Sequence, residues 1–285
     1  MQLAEIPRDL SDRGKALRPL NRLELHVTHA CNLTCESCSH YSNHNHSGHL
    51  ALDEADRWMG LWSGRLALEQ FHLLGGEPTI HPELCGFVRL VRRHWPETAI
   101  RIRTNGLFLH RHPNLPALLA ADGRAAIVIS IHHDSAEYRE RLRPVLELVE
   151  RWRRDFAIQI DMGDSFSNWT RRYRGFGATM QPFEDNAPRT SWEICPAAQC
   201  KQLFEGKIWK CAPLAYLRMQ KAKYPLSPKW DFYLSYQPLE PDCSDHALDR
   251  FFAREDEPYC AMCSSKSRPL KIPIPIRGLA GAASE

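Results

Sequence analysis

The feature that constrains this chain most is a group of three cysteines on one short loop. Cys31, Cys35 and Cys38 have the spacing C-x3-C-x2-C, and they follow an alternating apolar segment at residues 23–27. Alternation with a period of two predicts a β-strand that ends at the cysteines. Three thiolates at this spacing can bind three irons of a [4Fe-4S] cluster and leave the fourth iron without a protein ligand. A structural zinc site, completed by a nearby histidine, is the alternative.

A glycine-rich motif follows the next apolar segment. Residues 71–74 predict a buried strand, and Gly75, Gly76, Glu77 and Pro78 come directly after it. Consecutive glycines carry no side chains, so the backbone of this loop can approach a ligand closely. The two motifs, in this order, resemble those of the radical S-adenosylmethionine (radical SAM) enzymes. In that family SAM chelates the open iron, and the glycine-rich motif receives the SAM amino group.

The resemblance also implies SAM contacts beyond these two loops. The third and fourth predicted strands end in polar residues, at positions where the family contacts the SAM carboxylate and ribose. Asn105, Ser130 and His132 are the resulting candidates, with ordinary turn formation as the alternative for the Asn-Gly pair at 105–106. Ser37 departs from the family pattern, because the position before the third cysteine is commonly aromatic.

The pattern before residue 190 predicts an α/β fold. Apolar strands alternate with amphipathic helices five or six times, which is typical of a parallel sheet with right-handed crossovers. This arrangement resembles the partial (β/α)6 barrel of radical SAM enzymes, whose site lies at the carboxyl ends of the strands. The predicted strands cover residues 23–27, 71–74, 99–103, 126–131 and 157–162. The predicted helices cover residues 53–62, capped by Asp53, and 82–95, 115–121 and 136–154.

The C-terminal part of the chain contains more cysteines around a short hairpin that turns at Gly206. This arrangement resembles the Twitch or shortened SPASM appendage of radical SAM enzymes. It has one cysteine before the hairpin, another after the hairpin glycine, and a distant C-x2-C pair. That appendage carries an auxiliary [4Fe-4S] cluster. The distance to Gly206 favours Cys195 over Cys200 as its first ligand. The four ligands implied by the resemblance are Cys195, Cys211, Cys260 and Cys263. A zinc ribbon is the alternative, since four thiolates suit either metal.

These observations predict four parts of the chain. Residues 1–20 form a lead-in, residues 21–190 the partial barrel, residues 191–265 the auxiliary-cluster domain and residues 266–285 a tail.

Composition narrows the choice of partners. The chain is 43% hydrophobic, which is enough for a core, and its net charge of +3 gives no sign of a nucleic-acid partner. It has no apolar run of membrane-spanning length, and its N-terminus lacks the order of charges and apolar residues of a signal peptide. We therefore expect a cytoplasmic protein with no membrane partner. Most of the ten cysteines lie in two clusters, so we expect metal ligation and not disulfides. We also expect a monomer that receives electrons from a donor such as flavodoxin or ferredoxin.

The absence of a sequence segment sized to recognise peptides favours a small-molecule substrate. The chain is similar in size and cysteine arrangement to two radical SAM enzymes of antibiotic biosynthesis, neomycin C epimerase and 2-deoxy-scyllo-inosamine dehydrogenase. Cys243 lies in a polar loop and is not needed as a cluster ligand. We therefore expect it to donate hydrogen in the epimerisation of an aminoglycoside. The alternative is that Cys243 is an ordinary surface thiol. Dehydrogenation of an aminocyclitol and modification of a peptide are the other candidate reactions. The carboxylates available for a cationic substrate are Asp134, Asp161, Asp164, Glu184 and Asp185.

Overall fold

A computed structural model describes residues 17–167 and 169–268. Its main sheet has seven strands in the order β5-β4-β3-β2-β1-β7-β8, and all neighbours are parallel except β7 and β8. A second, antiparallel pair joins β6 and β9. The strands are β1 (Arg18–Thr28), β2 (Leu66–Gly75), β3 (Ala99–Thr104), β4 (Ala125–Ile131), β5 (Ile160–Asp164), β6 (Trp169–Thr170), β7 (Lys201–Phe204), β8 (Lys207–Trp209) and β9 (Ser267–Arg268).

Four helices connect the first five strands, and four more follow in the C-terminal part. None of the helices in the described ranges is both long and apolar enough to cross a membrane. The helices are α1 (Leu52–Ser63), α2 (Leu84–His94), α3 (Leu115–Asp122), α4 (Ala136–Phe156), α5 (Pro188–Glu193), α6 (Ala212–Lys223), α7 (Asp231–Leu234) and α8 (Asp245–Ala253). The strand–helix alternation through α4 confirms the predicted α/β class and the partial (β/α) barrel.

The strand registers separate apolar from polar residues on the two faces of the sheet. Leu25 pairs with Leu73, and Leu73 pairs with Ile102 on the next strand; all three side chains are fully buried. Burying each such side chain is worth about 1.5–3 kcal/mol. Glu24 and His72 form the neighbouring pair and therefore lie on the opposite, concave face. A slip of one residue would exchange the two faces, so the apolar pattern fixes the register.

Several element boundaries differ from the sequence prediction. β1 begins at Arg18, inside the predicted lead-in, and β5 begins at Ile160 rather than at residue 157. Ala157 instead ends α4 in the left-handed conformation, with φ of 52°. The prediction that Asp53 caps α1 is wrong, because Ala51 is the N-cap residue. The Asp53 carboxylate pairs with the exposed guanidinium of Arg57 one turn further on.

The hairpin that turns at Gly206 is confirmed, and it extends the main sheet. β7 pairs in parallel with β1, with Leu203 opposite Leu25, so the sixth parallel strand lies beside β1 and not beside β5. The sheet therefore includes residues beyond the predicted boundary at residue 190. Most of the predicted lead-in and tail, at residues 1–16 and 269–285, lies outside the described residues.

Candidate functional site

A pocket opens at the carboxyl ends of β1 to β4. Parallel strands present their carboxyl ends at one edge of the sheet, so loops that are distant in sequence meet there. The pocket brings together the predicted cysteines and most of the predicted SAM-binding residues. Its lining includes Cys31, Cys35, Cys38, Gly75, Gly76, Glu77, Arg103, Thr104, Asn105, Ser130, His132 and Trp169. We call Cys31, Cys35 and Cys38 the cysteine triad.

The thiols of the cysteine triad share a small, largely enclosed space. Cys35 is buried, and its Sγ lies 3.6 Å from Nδ1 of His132. Burial raises the pKa of the Cys35 thiol, and the neighbouring Cys38 and Cys31 raise it further. Three thiols that line one pocket suit a bound metal cluster, which would keep all three deprotonated.

The two glycines allow the second loop to pack directly onto the backbone that leads to the cysteine triad. The Gly76 amide donates to Thr28 O at 2.8 Å, and the Glu77 amide donates to Ala30 O at 2.9 Å. A Cβ on Gly75 would lie 2.3 Å from Thr28 O, and one on Gly76 would lie 2.2 Å from Ala30 O. Any larger residue would therefore push the two loops apart.

The Glu77 carboxylate is buried and is held entirely by protein groups. Oε1 accepts hydrogen bonds from Thr79 N (3.0 Å), Thr79 Oγ1 (2.5 Å) and Thr104 Oγ1, and Oε2 accepts one from Asn105 N (2.7 Å). Burial raises the pKa of Glu77, while these donors lower it; the net direction is upward. Three of the four donors bind Oε1, whereas Oε2 accepts a single bond and keeps one lone-pair site. The geometry gives Glu77 the role of joining two loops, and its expected contact with the SAM amino group stays a prediction.

Two other predicted residues also have structural roles. Pro78 starts a single 3₁₀ turn and does not line the pocket. Asn105 Oδ1 accepts from the Leu107 amide, as a turn residue does, while Asn105 Nδ2 donates to Asn32 Oδ1 at 2.8 Å. Asn105 thus acts as a turn residue and also lines the pocket, and its contact with SAM stays a prediction.

Arg103 was missed as a candidate for the pocket. It lies on the concave face of β3, and its Nε donates to Nδ1 of His72 at 2.9 Å. The rest of the half-buried guanidinium lines the pocket beside Thr104 and Ser130. The signal was an arginine one residue before the end of a parallel strand, where a half-buried charge needs a partner or a ligand.

A second cavity lies among the C-terminal residues. Cys195, Cys211, Cys260 and Cys263, which we call the auxiliary cysteines, line it together with Arg172 and Lys210. Cys200 is absent from this lining; its buried thiol accepts from Arg22 Nη1 at 3.2 Å. The structure thus brings together the four cysteines that the family resemblance implied.

The structure places Cys243, the expected hydrogen donor, away from the pocket. The Cys243 thiol accepts a hydrogen bond from Arg65 Nη1 at 3.4 Å, and Asp245 binds the same guanidinium at 3.0 Å. Arg65 directly precedes β2, whose ten residues span roughly 30 Å before they reach Gly75 at the pocket. Cys243 therefore lies at the amino edge of the sheet, opposite the pocket, and cannot donate hydrogen there.

The carboxylates expected to bind a cationic substrate do not line the pocket either. Among the described residues, Glu77 is the one carboxylate in its lining, and protein donors occupy it. Asp185 lies elsewhere and accepts from the amide and hydroxyl of Ser265. The other four expected carboxylates, Asp134, Asp161, Asp164 and Glu184, are also outside the lining.

The comparisons with known proteins match the part of the chain that contains the cysteine triad and the glycine loop. Residues 25–156 match the family model of the radical SAM superfamily. The chain is 30% identical over 132 residues to GTP 3',8-cyclase of Paenarthrobacter nicotinovorans, covering 45% of this chain and 36% of that protein. It is 31% identical over 134 residues to a probable GTP 3',8-cyclase of Aeropyrum pernix, covering 44% and 36%. The chain thus matches little more than a third of the length of these relatives.

A similar solved structure covers more of the chain. The crystal structure of BtrN in complex with AdoMet and 2-DOIA has a TM-score of 0.53 and 16% sequence identity, covering 87% of this chain and 94% of BtrN. At this identity the likeness concerns the fold alone. Residues 25–156 are thus similar in sequence to the radical SAM superfamily, and the chain shares its fold, a partial (β/α) barrel, with BtrN.

Proposed function

We propose that this protein is a radical SAM enzyme that oxidises a small-molecule alcohol, with the cysteine triad holding the SAM-binding [4Fe-4S] cluster and the auxiliary cysteines holding a second one. The observation that carries the proposal is the single pocket in which the triad meets Gly75, Gly76, Asn105 and Ser130. When bound and reduced, the first cluster would supply the electron that cleaves SAM to methionine and a 5′-deoxyadenosyl radical.

The chain's own residues would bind and orient SAM. Gly75 and Gly76 let their loop pack directly onto the backbone that leads to the triad, so both loops line one pocket. Arg103 offers a cation to a carboxylate, and Ser130 offers a hydroxyl. Glu77 and Asn105 would fix the loops that carry these groups. A bound SAM would thus meet two preformed loops held by buried hydrogen bonds.

Oxidation is the reaction of a substrate radical that the residues of this pocket support. An alcohol that loses a hydrogen atom to the adenosyl radical becomes a ketone when it gives up one more electron and its hydroxyl proton. The auxiliary cluster is the proposed electron acceptor, and solvent takes the proton. In the described residues, the triad supplies the only thiols in the pocket lining, so no spare thiol there can return hydrogen. Oxidation therefore accounts for both groups of cysteines.

Epimerisation of an aminoglycoside, expected from the sequence, is the less supported alternative. It needs a hydrogen donor on the far side of the substrate, and Cys243 lies at the wrong edge of the sheet. The names of the relatives raise cyclisation of GTP as another possibility. The matched 132 residues cover 45% of this chain, so they support the shared radical chemistry and not the substrate. Modification of a peptide has no further support.

The test is anaerobic reconstitution followed by incubation with SAM and dithionite. We expect 5′-deoxyadenosine from the wild-type protein and none after replacement of the cysteine triad by alanine. Candidate alcohols, including aminocyclitols, are then screened in D₂O. A ketone without solvent deuterium supports oxidation, whereas an inverted carbon carrying one deuterium refutes it in favour of epimerisation.

A further inference from the structure

The segment from Trp169 to Arg174 connects the cysteine triad with the auxiliary cysteines. At its first end, Trp169 Nε1 donates to Glu36 O at 2.9 Å, and Glu36 lies between Cys35 and Cys38. Arg171 Nη2 also binds the Glu36 carboxylate at 3.1 Å. The segment is therefore attached to the loop of the triad by both backbone and side-chain groups.

Ser37 makes the closest attachment. Its Oγ accepts from Arg172 N at 2.7 Å and from Tyr173 N at 3.0 Å, and it donates to Tyr173 O at 2.9 Å. A hydroxyl has one donor and two acceptor sites, so all of them are used. The aromatic residue that is common at this position in the family could not make these bonds, and Ser37 is buried. The departure from the family pattern thus has a structural purpose in this chain.

Arg172 reaches from this attachment into the second cavity. Its side chain is buried, its Nη1 donates to Cys195 Sγ at 3.5 Å, and it lines the cavity with all four auxiliary cysteines. An arginine side chain keeps its proton in proteins, so the guanidinium is a permanent positive charge among the sulfur atoms of the cavity.

The charge of Arg172 has no carboxylate partner among the described residues, in contrast to the other cation at the cavity. Lys210 lies 3.3 Å from Glu257, which compensates it. An isolated buried guanidinium is costly, so its counter-charge has to come from the contents of the cavity. Four thiolates around an iron–sulfur cluster carry such a negative charge.

We propose that Arg172 is a positioning residue that raises the reduction potential of the auxiliary cluster, and that Ser37 fixes its charge relative to both groups of cysteines. The inference rests on the proposed function, since it requires an iron–sulfur cluster at the auxiliary cysteines. A nearby positive charge stabilises the reduced cluster, which is more negative than the oxidised one, and a hydrogen bond to a ligand sulfur acts in the same direction. A higher potential makes the cluster a better electron acceptor.

The experiment is a redox titration of the reconstituted full-length protein, followed by electron paramagnetic resonance (EPR). Spectra with and without SAM separate the two clusters, because the signal of the SAM-binding cluster changes when SAM binds. We expect Arg172→Met and Arg172→Gln to move the midpoint of the SAM-insensitive signal to more negative potential, and Arg172→Lys to stay nearer to wild type. Ser37→Ala should give a smaller shift in the same direction.

Arg174→Met is the matched control, because Arg174 belongs to the same segment but is exposed and binds backbone carbonyls of Pro182 and Phe183. Its midpoint should equal that of wild type. If Arg172→Met loads no iron, the comparison of Arg172→Gln with Arg172→Lys decides. Equal midpoints in wild type, Arg172→Gln and Arg172→Lys would overturn the role of Arg172. A wild-type protein without a SAM-insensitive signal would instead refute the auxiliary cluster itself.

Discussion

Replacement of Glu77 by glutamine tests whether this residue holds the site together or contacts SAM. The two side chains have the same shape, but an amide has one acceptor oxygen and one donor nitrogen where the carboxylate has two acceptors. In the better orientation the amide oxygen takes the place of Oε1 and keeps the bonds from Thr79 and Thr104. The amide nitrogen then faces the Asn105 N–H, which lies 2.7 Å from Oε2 in the wild-type protein. Two donors meet, and both lose their partner.

The expected cost follows from burial. A buried donor left without a partner costs about 1–3 kcal/mol, and the remaining bonds lose the assistance of a charge. We therefore expect Glu77→Gln to lower the free energy of unfolding by about 2–4 kcal/mol. Glu77→Ala removes all four bonds and should cost at least as much, near the upper end observed for single substitutions.

The assay is urea unfolding of the iron-free protein under anaerobic conditions, so that stability is measured apart from cluster loading. Glu83→Gln is the matched control on the same loop, because Glu83 is exposed and should shift stability by less than about 0.5 kcal/mol. A Glu77→Gln protein as stable as that control would refute the structural role. If it also failed to bind SAM after reconstitution, the direct contact implied by the family resemblance would be supported.

Three further predictions concern the cysteines and the glycine loop. Replacing the whole cysteine triad by alanine should leave about four of about eight irons per chain and abolish formation of 5′-deoxyadenosine, whereas loss of all iron would show a single cluster. Cys243→Ala should oxidise substrate within about twofold of the wild-type rate, since its thiol lies far from the pocket; a dead variant that still cleaves SAM would return Cys243 to the mechanism. Gly76→Ala should destabilise the protein by about 1–3 kcal/mol in the urea assay, while Gly64→Ala, whose added Cβ meets no atom within 4 Å, should not.

The elements nearest the two motifs could be predicted because their signals are local. The alternation at residues 23–27 reflects one face of β1 packed in the core, and the buried side chains of Leu23, Leu25 and Val27 bear this out. The cysteine and glycine loops follow β1 and β2 directly, so their convergence depends only on the strands being parallel. Both the strand type and the strand direction were readable from short segments of sequence.

The features that sequence missed depend on contacts between distant segments. Glu77 is satisfied by Thr104 and Asn105, which belong to the loop after another strand, and no spacing rule connects them. The position of Cys243 in the fold was missed for the same reason. A cysteine that is not needed as a metal ligand can lie anywhere on the molecule. The ion pair of Arg65 with Asp245 shows that the loop of Cys243 lies at the amino edge of the sheet.

Ser37 shows how a small departure from a family pattern can indicate a connection that the pattern does not contain. The residue has a left-handed backbone with φ of 52°, and its hydroxyl bonds the backbone of Arg172 and Tyr173, which are 135 and 136 residues away. The same segment donates to Cys195 through the Arg172 side chain. A change in the loop of the cysteine triad therefore reaches the auxiliary cysteines through two adjacent residues. If both groups bind clusters, this short, buried path makes the electrostatics of one site depend on the fold of the other.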